Sequence, residues 1–404
     1  MLKTFEYRIY PTEKQKILLS KHFGSVRFIY NHFLSLSKKT YEVTKKKPSK
    51  FQMSKMLPQL KTSHSWLKEV NSQSLQESLI HLDKAYQRFF KTKNGFPNFK
   101  SKNNKQNFAI PQSLKVSFKE GLISLPKFKE GIKTFFHRRF RGTIKTCTVK
   151  MSKTHKYFVS ILIEDGTIVP VKSTPSIENA LGIDVGIKDF ATLSTGEKIS
   201  NPRHLNKSLT KLKKIQRSFS RKKKGSSNRL KVKRALVLLH EKVSNQRKDF
   251  LHKVSTRLVR ENQTLCIETL DIKGMTKNHR LARHIQDLGL GMFFSFLKYK
   301  ADWYGKNLLP IGMFEPSSKT CNACSHINDS LTLSDRVWTC PSCRTKLDRD
   351  FNASLNIRDF AFIALRNQRK LTPTSENSLE TQSRKYSCEA VHNSSGFLNL
   401  REVH

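Results

Sequence analysis

Two pairs of cysteines constrain this chain more tightly than any other feature: Cys321 and Cys324, then Cys340 and Cys343, form C-x2-C units separated by fifteen residues. Such pairs can offer four thiolates to one tetrahedral Zn2+, each pair gripping the ion from a tight knuckle turn. The polar neighbours Asn322, Ser325, Ser342 and Arg344 speak against the alternative of free thiols in a core. With sulfur in all four positions the site is closed, so the expected zinc is structural rather than catalytic. Cys147, Cys266 and Cys388 read as ordinary core or tail residues, and His326 as a spare beside the cluster. Thiols patterned for metal rather than for disulfides fit a reduced, cytosolic protein.

Charge points to the partner. The chain holds 76 Lys+Arg against 31 Asp+Glu, a formal +45 over 404 residues. Repulsion of that size would destabilise a compact fold unless a polyanion neutralises it. Nucleic acid is the expected partner, with an anionic membrane surface a distant second. No apolar run approaches the roughly 18 residues that a membrane span needs, and Met1-Leu2-Lys3-Thr4 does not open a signal peptide. Apolar residues, at 37%, suffice for packed cores, and a chain of this length is expected to divide into two to four modules.

The hydrophobic pattern changes period along the chain. Phe5, Tyr7 and Ile9 alternate with Glu6, Arg8 and Tyr10, which predicts a strand stopped by Pro11. Thr12-Glu13-Lys14-Gln15 has the spacing of a capping box, and Leu19, Phe23, Val26, Tyr30 and Phe33 follow at helical intervals. Leu75, Leu79, Leu82, Tyr86 and Phe89 predict a second helix. Short β-like runs dominate from Phe108 to about Ile163. A buried-looking strand is expected at Ala180–Gly186 and another at Phe190–Leu193. Residues 203–234 carry fourteen Lys or Arg and no acid, broken at Gly225-Ser226-Ser227-Asn228 into a predicted helical hairpin. Arg221, Lys222, Lys223 and Lys224 near its turn are candidate phosphate contacts; a merely solvated basic face is the weaker alternative. Beyond it come a short strand at Leu265–Glu268, a helix from about Asn278 to Gly305, a strand at Leu308–Phe314 and a helix over 351–366. Residues 371–404, rich in Ser, Asn, Thr and Glu, read as a disordered tail.

Three acids stand out: Asp184 inside an apolar strand, Glu268 at a strand end and Asp350 at a helix start. A carboxylate in an apolar strand must be solvated, paired or metal-bound to offset its desolvation. Any one of them could simply pair with one of the many cations. Their common placement at element ends suits a two-Mg2+ site for phosphodiester cleavage, in the layout of an RNase H-like nuclease.

These residues lie in segments that resemble the transposon-encoded TnpB family. Gly182-Ile183-Asp184-Val185-Gly186-Ile187-Lys188-Asp189-Phe190 is similar to the family's first RuvC motif, Ile267-Glu268-Thr269-Leu270-Asp271 to the second, and Asp348-Arg349-Asp350-Phe351-Asn352-Ala353 to the third. Pro316-Ser317-Ser318-Lys319-Thr320-Cys321 introduces the knuckle in the family manner. Arg8-Ile9-Tyr10-Pro11-Thr12 and Gly95-Phe96-Pro97-Asn98-Phe99 also match, so that the resemblance runs from about residue 1 to 366. Ser325 and Arg344 replace glycines common after each cysteine pair, Leu347 a common His, and Thr269 a common acidic residue or Asn. Within the third motif, Asp350 is taken over Asp348 because it directly precedes Phe351-Asn352.

The resemblance implies an α+β multidomain protein: a RuvC-like, RNase H-like nuclease domain with an inserted four-cysteine zinc knuckle, preceded by a helical module and a small β-barrel-like module. The expected divisions are a first strand at 1–10, a helical recognition module with a helix-turn-helix at 11–94, a β module at 95–175, the nuclease domain at 176–316 and 348–370, the knuckle at 317–347 and the tail. It further implies a guide RNA from the transposon end, target double-stranded DNA cut beside a short duplex motif, and a bacterial or archaeal, nucleoid-associated location. Small type V CRISPR effectors share these motifs. Two other readings are an RNA-guided binder that regulates without cutting, against which the intact acids count, and an unguided transposase or junction nuclease. Oligomeric state is left open.

Overall fold

The computed structural model describes residues 1–92, 95–332 and 334–371; the expected tail beyond Leu371, and Cys388 within it, lie outside the described residues. The chain divides into two compact units, Met1–Ile168 and a second beginning at Val169.

In the first unit, β1 (Leu2–Tyr10) buries Tyr7 and Ile9 as its alternation predicts. Thr12 caps α1 (Glu13–Thr44) with a complete capping box: the Thr12 hydroxyl accepts from the Gln15 amide at 3.4 Å, and Gln15 Oε1 accepts from the Thr12 amide at 3.0 Å. This one helix serves two cores. Leu19, Phe23 and Val26 pack with the strands, whereas Ile29, Phe33 and Leu34 pack with α2 (Lys50–Ser63) and α3 (Ser72–Thr92) through Met53, Leu57, Leu75, Leu79 and Leu82. Full burial of each such side chain is worth about 1.5–3 kcal/mol.

Six further strands follow: β2 (Gln106–Ile110), β3 (Lys115–Ser117), β4 (Leu122–Ser124), β5 (Ile132–Phe135), β6 (Thr143–Met151) and β7 (Tyr157–Glu164). They join β1 in an antiparallel sheet of order β2-β6-β7-β1-β5-β4-β3. The first strand of the chain thus inserts between β7 and β5, with Leu2 opposite Glu164 and Tyr10 opposite Lys133. The ladder runs from β2 at one edge to β3 at the other; among the described residues no pairing closes it into a hydrogen-bonded barrel.

The second unit is built on β8 (Ala180–Val185), β9 (Asp189–Leu193), β10 (Lys198–Ser200), β11 (Thr264–Ile267) and β12 (Asn307–Pro310), in the order β10-β9-β8-β11-β12. β8, β9 and β10 form an antiparallel meander, while β11 and β12 run parallel to β8. Parallel strands require long crossovers, and the helices supply them. α4 (His204–Arg221) and α5 (Ser227–Glu261) make the basic hairpin between β10 and β11; α6 (Ile272–Met275), α7 (His279–Leu288) and α8 (Leu290–Trp303) connect β11 to β12.

The predicted single helix over 278–305 is two helices. Gly289 breaks it at φ +68°, and a β-carbon there would meet the Arg247 side chain at 3.0 Å. Arg247 itself pairs with Asp287 at 2.9 Å, so the break is packed tightly against α5. The strand predicted over 308–314 ends at Pro310, and Met313 and Phe314 lie in a turn.

Strand parity decides which side chains face which helices. Leu181 and Ile183 of β8, with Leu265 and Ile267 of β11, enter the core formed with α5 and α8. The alternate residues face the opposite way, where Cys266 packs with Ile357, Ala361 and Phe362 of α9 (Arg349–Leu371). Between β12 and α9 lies the knuckle, whose hairpin pairs β13 (Val337–Thr339) with β14 (Lys346–Asp348). No helix among the described residues is long and apolar enough to cross a membrane.

Candidate functional site

Asp184 and Glu268 share the α9 face of the sheet. Ile267 is registered against Ile183, so one step further along the parallel strands brings Glu268 beside Asp184. The third acid comes from α9, which leans on β8 at Gly182: a β-carbon at that glycine would lie 1.9 Å from the Ser354 carbonyl oxygen. One turn before Ser354 stands Asp350. The chain thus gathers three acids that are 84 and 82 residues apart in sequence.

Electrostatics follows the geometry. Burial raises the Asp184 carboxyl well above the usual range, and the charges of Glu268 and Asp350 raise it further, against the lowering influence of Arg349 and Arg336. Burial also raises Glu268, opposed by the Ser317 hydroxyl, which donates to Glu268 Oε1 at 2.6 Å. Asp350 has two guanidinium neighbours, Arg336 at 3.5 Å and Arg349 at 3.6 Å. Two carboxylates that raise the proton affinity of a third, buried one are a donor set suited to a hard divalent cation. The three are not drawn to the single-ion spacing that the four cysteines reach.

Asp348 has a different place. Its carboxylate accepts from the Phe351 amide at 3.0 Å, capping α9, and pairs with Lys198 at 2.7 Å. Thr269, noted above as a departure from the family pattern, donates to the Ile311 carbonyl at 2.7 Å.

The four cysteines meet, with all sulfur atoms within 4.8 Å of one another. The two knuckles repeat one set of bonds. Ser325 N donates to Cys321 O at 2.8 Å and Arg344 N to Cys340 O at 2.9 Å; Cys321 N donates to His326 O and Cys340 N to Thr345 O. Each turn closes on a residue at φ +60°, Ser325 in one and Arg344 in the other. His326 contributes its carbonyl to the first of these turns. Burial pushes the Cys321 thiol up to about 12, whereas the Thr345 hydroxyl, 3.2 Å from Cys343 Sγ, holds that thiol down to about 6. Four sulfurs at this spacing fit a tetrahedral Zn2+. Cys147 and Cys266 are buried, and burial raises both thiols.

Ser317 and Asn352, which lie inside the motif segments, and Asn356, one turn further along α9, also have defined roles. In the structure they bind the knuckle's entrance to α9. Asn352 Nδ2 donates to Thr320 O at 2.7 Å; Asn356 Nδ2 donates to Ser317 O at 2.7 Å and to Thr320 O at 2.6 Å. Their side-chain oxygens accept from Asn322 at 2.9 and 3.0 Å. Two asparagines four apart at the start of an amphipathic helix were the available signal, since buried amides need partners.

The basic cluster stands elsewhere. Arg221 ends α4 and Lys222, Lys223 and Lys224 form the exposed hairpin turn, held by Arg229, which donates to Phe219 O and Lys222 O. From Ser227 to Leu251, where α5 joins the sheet core, the rise along the helix is about 35 Å. The hairpin tip is therefore not part of the carboxylate site.

Comparison with known proteins adds the family. Residues 159–279 match the model described as OrfB_IS605, a probable transposase; residues 1–46 match its helix-turn-helix domain and residues 291–357 the Cas12f1-like TNB domain. A protein of Streptomyces pristinaespiralis named "Putative RNA-guided DNA endonuclease" is 38% identical over 393 residues, covering 95% of this chain and 96% of that one. The chain belongs to the TnpB (OrfB, IS605) family. Its Escherichia coli K12 relative, named "Putative RNA-guided DNA endonuclease InsQ", is 31% identical over 88% of this chain and 91% of its own. A cryo-EM structure of CasPhi-2 (Cas12j) bound to crRNA aligns more loosely, at 11% identity over 89% of this chain and 98% of that one, with a TM-score of 0.44. For this TnpB family chain, membership implies a RuvC-like domain, and the four-cysteine cluster falls in the TNB region.

Proposed function

We propose that this chain is a transposon-encoded, RNA-guided, Mg2+-dependent DNA endonuclease whose RNase H-like domain cuts target DNA with Asp184, Glu268 and Asp350. The observation that carries the reading is the convergence of these three carboxylates on one face of the sheet, where two raise the proton affinity of the third. A site of that kind is costly to bury without a cation, and the curated relatives bear the matching name.

Bound divalent cations would supply Lewis-acid activation of the phosphodiester and neutralise its developing charge. The protein's part is to hold the ligands. β8 fixes Asp184 within the sheet, β11 delivers Glu268 at its end, and the first turn of α9 brings Asp350 over both. Arg336 and Arg349, beside Asp350, add positive charge where a DNA phosphate would approach. The four cysteines would hold Zn2+, which would stabilise the knuckle and, with no open position, take no part in the chemistry. The net charge of +45 and the exposed tip at Arg221–Lys224 suit a large RNA and a DNA duplex, with base pairing reading the target and protein reading a short adjoining motif.

The test is redirection. Protein purified from its host should carry a defined RNA, visible as excess absorbance at 260 nm, and replacing that RNA's 3′ segment should move cutting to the new complementary target. If protein stripped of RNA in high salt cuts as well as the complex, and the replacement redirects nothing, the guided reading fails and an unguided nuclease takes its place.

A further inference from the structure

Glu268 stands one residue beyond the end of β11, where the ladder no longer fixes the chain. Among the described residues the hydroxyl of Ser317 holds its Oε1 at 2.6 Å. Ser317 is 4% exposed and is itself fixed on both sides of its backbone. Its amide donates to Glu315 O at 2.8 Å, and its carbonyl accepts from Asn356 at 2.7 Å. Asn356 and Asn352 are 2% and 1% exposed, and each uses both ends of its amide on the segment 317–322. Asn322 adds a bond to Asp359, one turn further along α9, at 2.9 Å.

We infer that Ser317 is a positioning residue for the Glu268 carboxylate, held in register by Asn352 and Asn356 of α9. This rests on the nuclease reading above. The chemistry explains the choice of a hydroxyl. A Lys or Arg on Glu268 would fix its direction but cancel the charge that a cation needs. A neutral donor orients the carboxylate through one oxygen and leaves the negative charge for the metal. A second consequence follows from the connectivity. Asp350 lies on α9 directly, and Glu268 is referenced to the same helix through Ser317, so two ligands move as one body. The segment that does this contains Cys321, and loosening the knuckle therefore loosens Glu268.

The experiment compares Ser317→Ala and Ser317→Thr in the RNA-bound protein, by calorimetric titration with Mn2+ and by the Mg2+ concentration giving half-maximal cleavage. Loss of an outer-shell partner typically weakens metal affinity about 10–100-fold. Ser317→Ala should shift both midpoints upward by about tenfold, with cleavage recovering at high Mg2+ and the melting temperature held within a few degrees. Ser317→Thr, which keeps the hydroxyl, should recover most of the affinity. Should the Ala variant fold poorly, Ser317→Cys, similar in shape but a weak donor, carries the comparison. Unchanged midpoints in Ser317→Ala overturn the inference, as does an equal loss in Ala and Thr. A failure of the nuclease reading looks different: no guided target is cut by the unsubstituted complex, yet its Mn2+ affinity still falls in Ser317→Ala.

Discussion

The carbonyl oxygen of Ser354 overhangs Gly182 so closely that a β-carbon on the glycine would sit 1.9 Å from it. Gly182 lies two residues before Asp184 on the same strand face, and Ser354 one helical turn after Asp350. The missing side chain therefore sets the distance between the two acids. The obstacle is backbone, which cannot swing aside as a side-chain tip could. Gly182→Ala should push α9 away from β8, at an overpacking cost of about 1–3 kcal/mol. A shift of about 1 Å at a reacting site can cost on the order of a hundredfold in rate, so cleavage should fall at least that far. Guided cleavage rates and melting temperatures, measured together, check this; an Ala variant that cuts at the original rate contradicts the geometry.

The two aspartates of the third motif should separate by phenotype. Asp350 faces Asp184, whereas Asp348 caps α9 and pairs with Lys198. Asp350→Ala, like Asp184→Ala, should abolish cutting while sparing RNA and target binding, and EDTA should do the same to the unsubstituted complex. Asp348→Ala should cost about 1 kcal/mol as a lost helix cap and leave the Mg2+ requirement unchanged. Plasmid cleavage over a Mg2+ series, beside thermal melts, distinguishes these outcomes; Mg2+-dependent cutting that survives in Asp350→Ala removes it from the site.

What was legible in the sequence was what local pattern encodes. Alternation announced β1, spacing announced the knuckle, and an acid in an apolar strand announced Asp184. The rest depended on contacts between distant segments. Nothing near Leu2 says that its strand will lie between β7 and β5, because register against Glu164 is a property of the whole sheet. Nothing local to Gly289 marks a break in the helix expected over 278–305, because the packing of Arg247 against it is a contact between distant segments. Asn352 and Asn356 carry no local sign of their role, because their partners lie 32 and 39 residues earlier, in the carbonyls of Thr320 and Ser317. The open ladder of the first unit likewise depends on which strands become edges, a choice that no single strand carries.

The knuckle turns carry removable strain. Ser325 and Arg344 sit at φ +60°, a region that costs an L-residue roughly 1–2 kcal/mol relative to glycine. Part of that is offset by the greater freedom of glycine in the unfolded chain. Ser325→Gly and Arg344→Gly should each strengthen the zinc knuckle by about 0.5–1 kcal/mol. Competition with a chelator should show slower zinc loss in the double variant, and Cys321→Ser should show the opposite, with lower folded yield and less than one zinc per chain. Faster zinc loss in the glycine variants would contradict the strain argument.

Lys300 ties α8 to α5 and gives stability a pH dependence of definite sign. Its ammonium donates to His252 O at 2.8 Å, Ser255 Oγ at 2.7 Å and Thr256 Oγ1 at 2.6 Å. Burial, aided by the Arg260 charge, pulls its pKa from 10.5 down to about 8. Below pH 8 the native and unfolded chains both hold the proton, and Lys300 adds no slope. Between pH 8 and 10.5 the unfolded chain keeps a proton that the native chain releases, so its contribution to stability rises with pH, by at most about 1.4 kcal/mol per unit. Lys300→Met should remove that rise. It should also fold, because the acceptors it abandons keep other bonds: Ser255 donates to Leu251 O and Thr256 to His252 O. Unfolding of the two proteins in denaturant from pH 7 to 9.5 isolates the effect as a difference between them. The native Lys should gain up to about 2 kcal/mol on Met across that range, and a difference independent of pH would mean that Lys300 is not a buried, titrating amine.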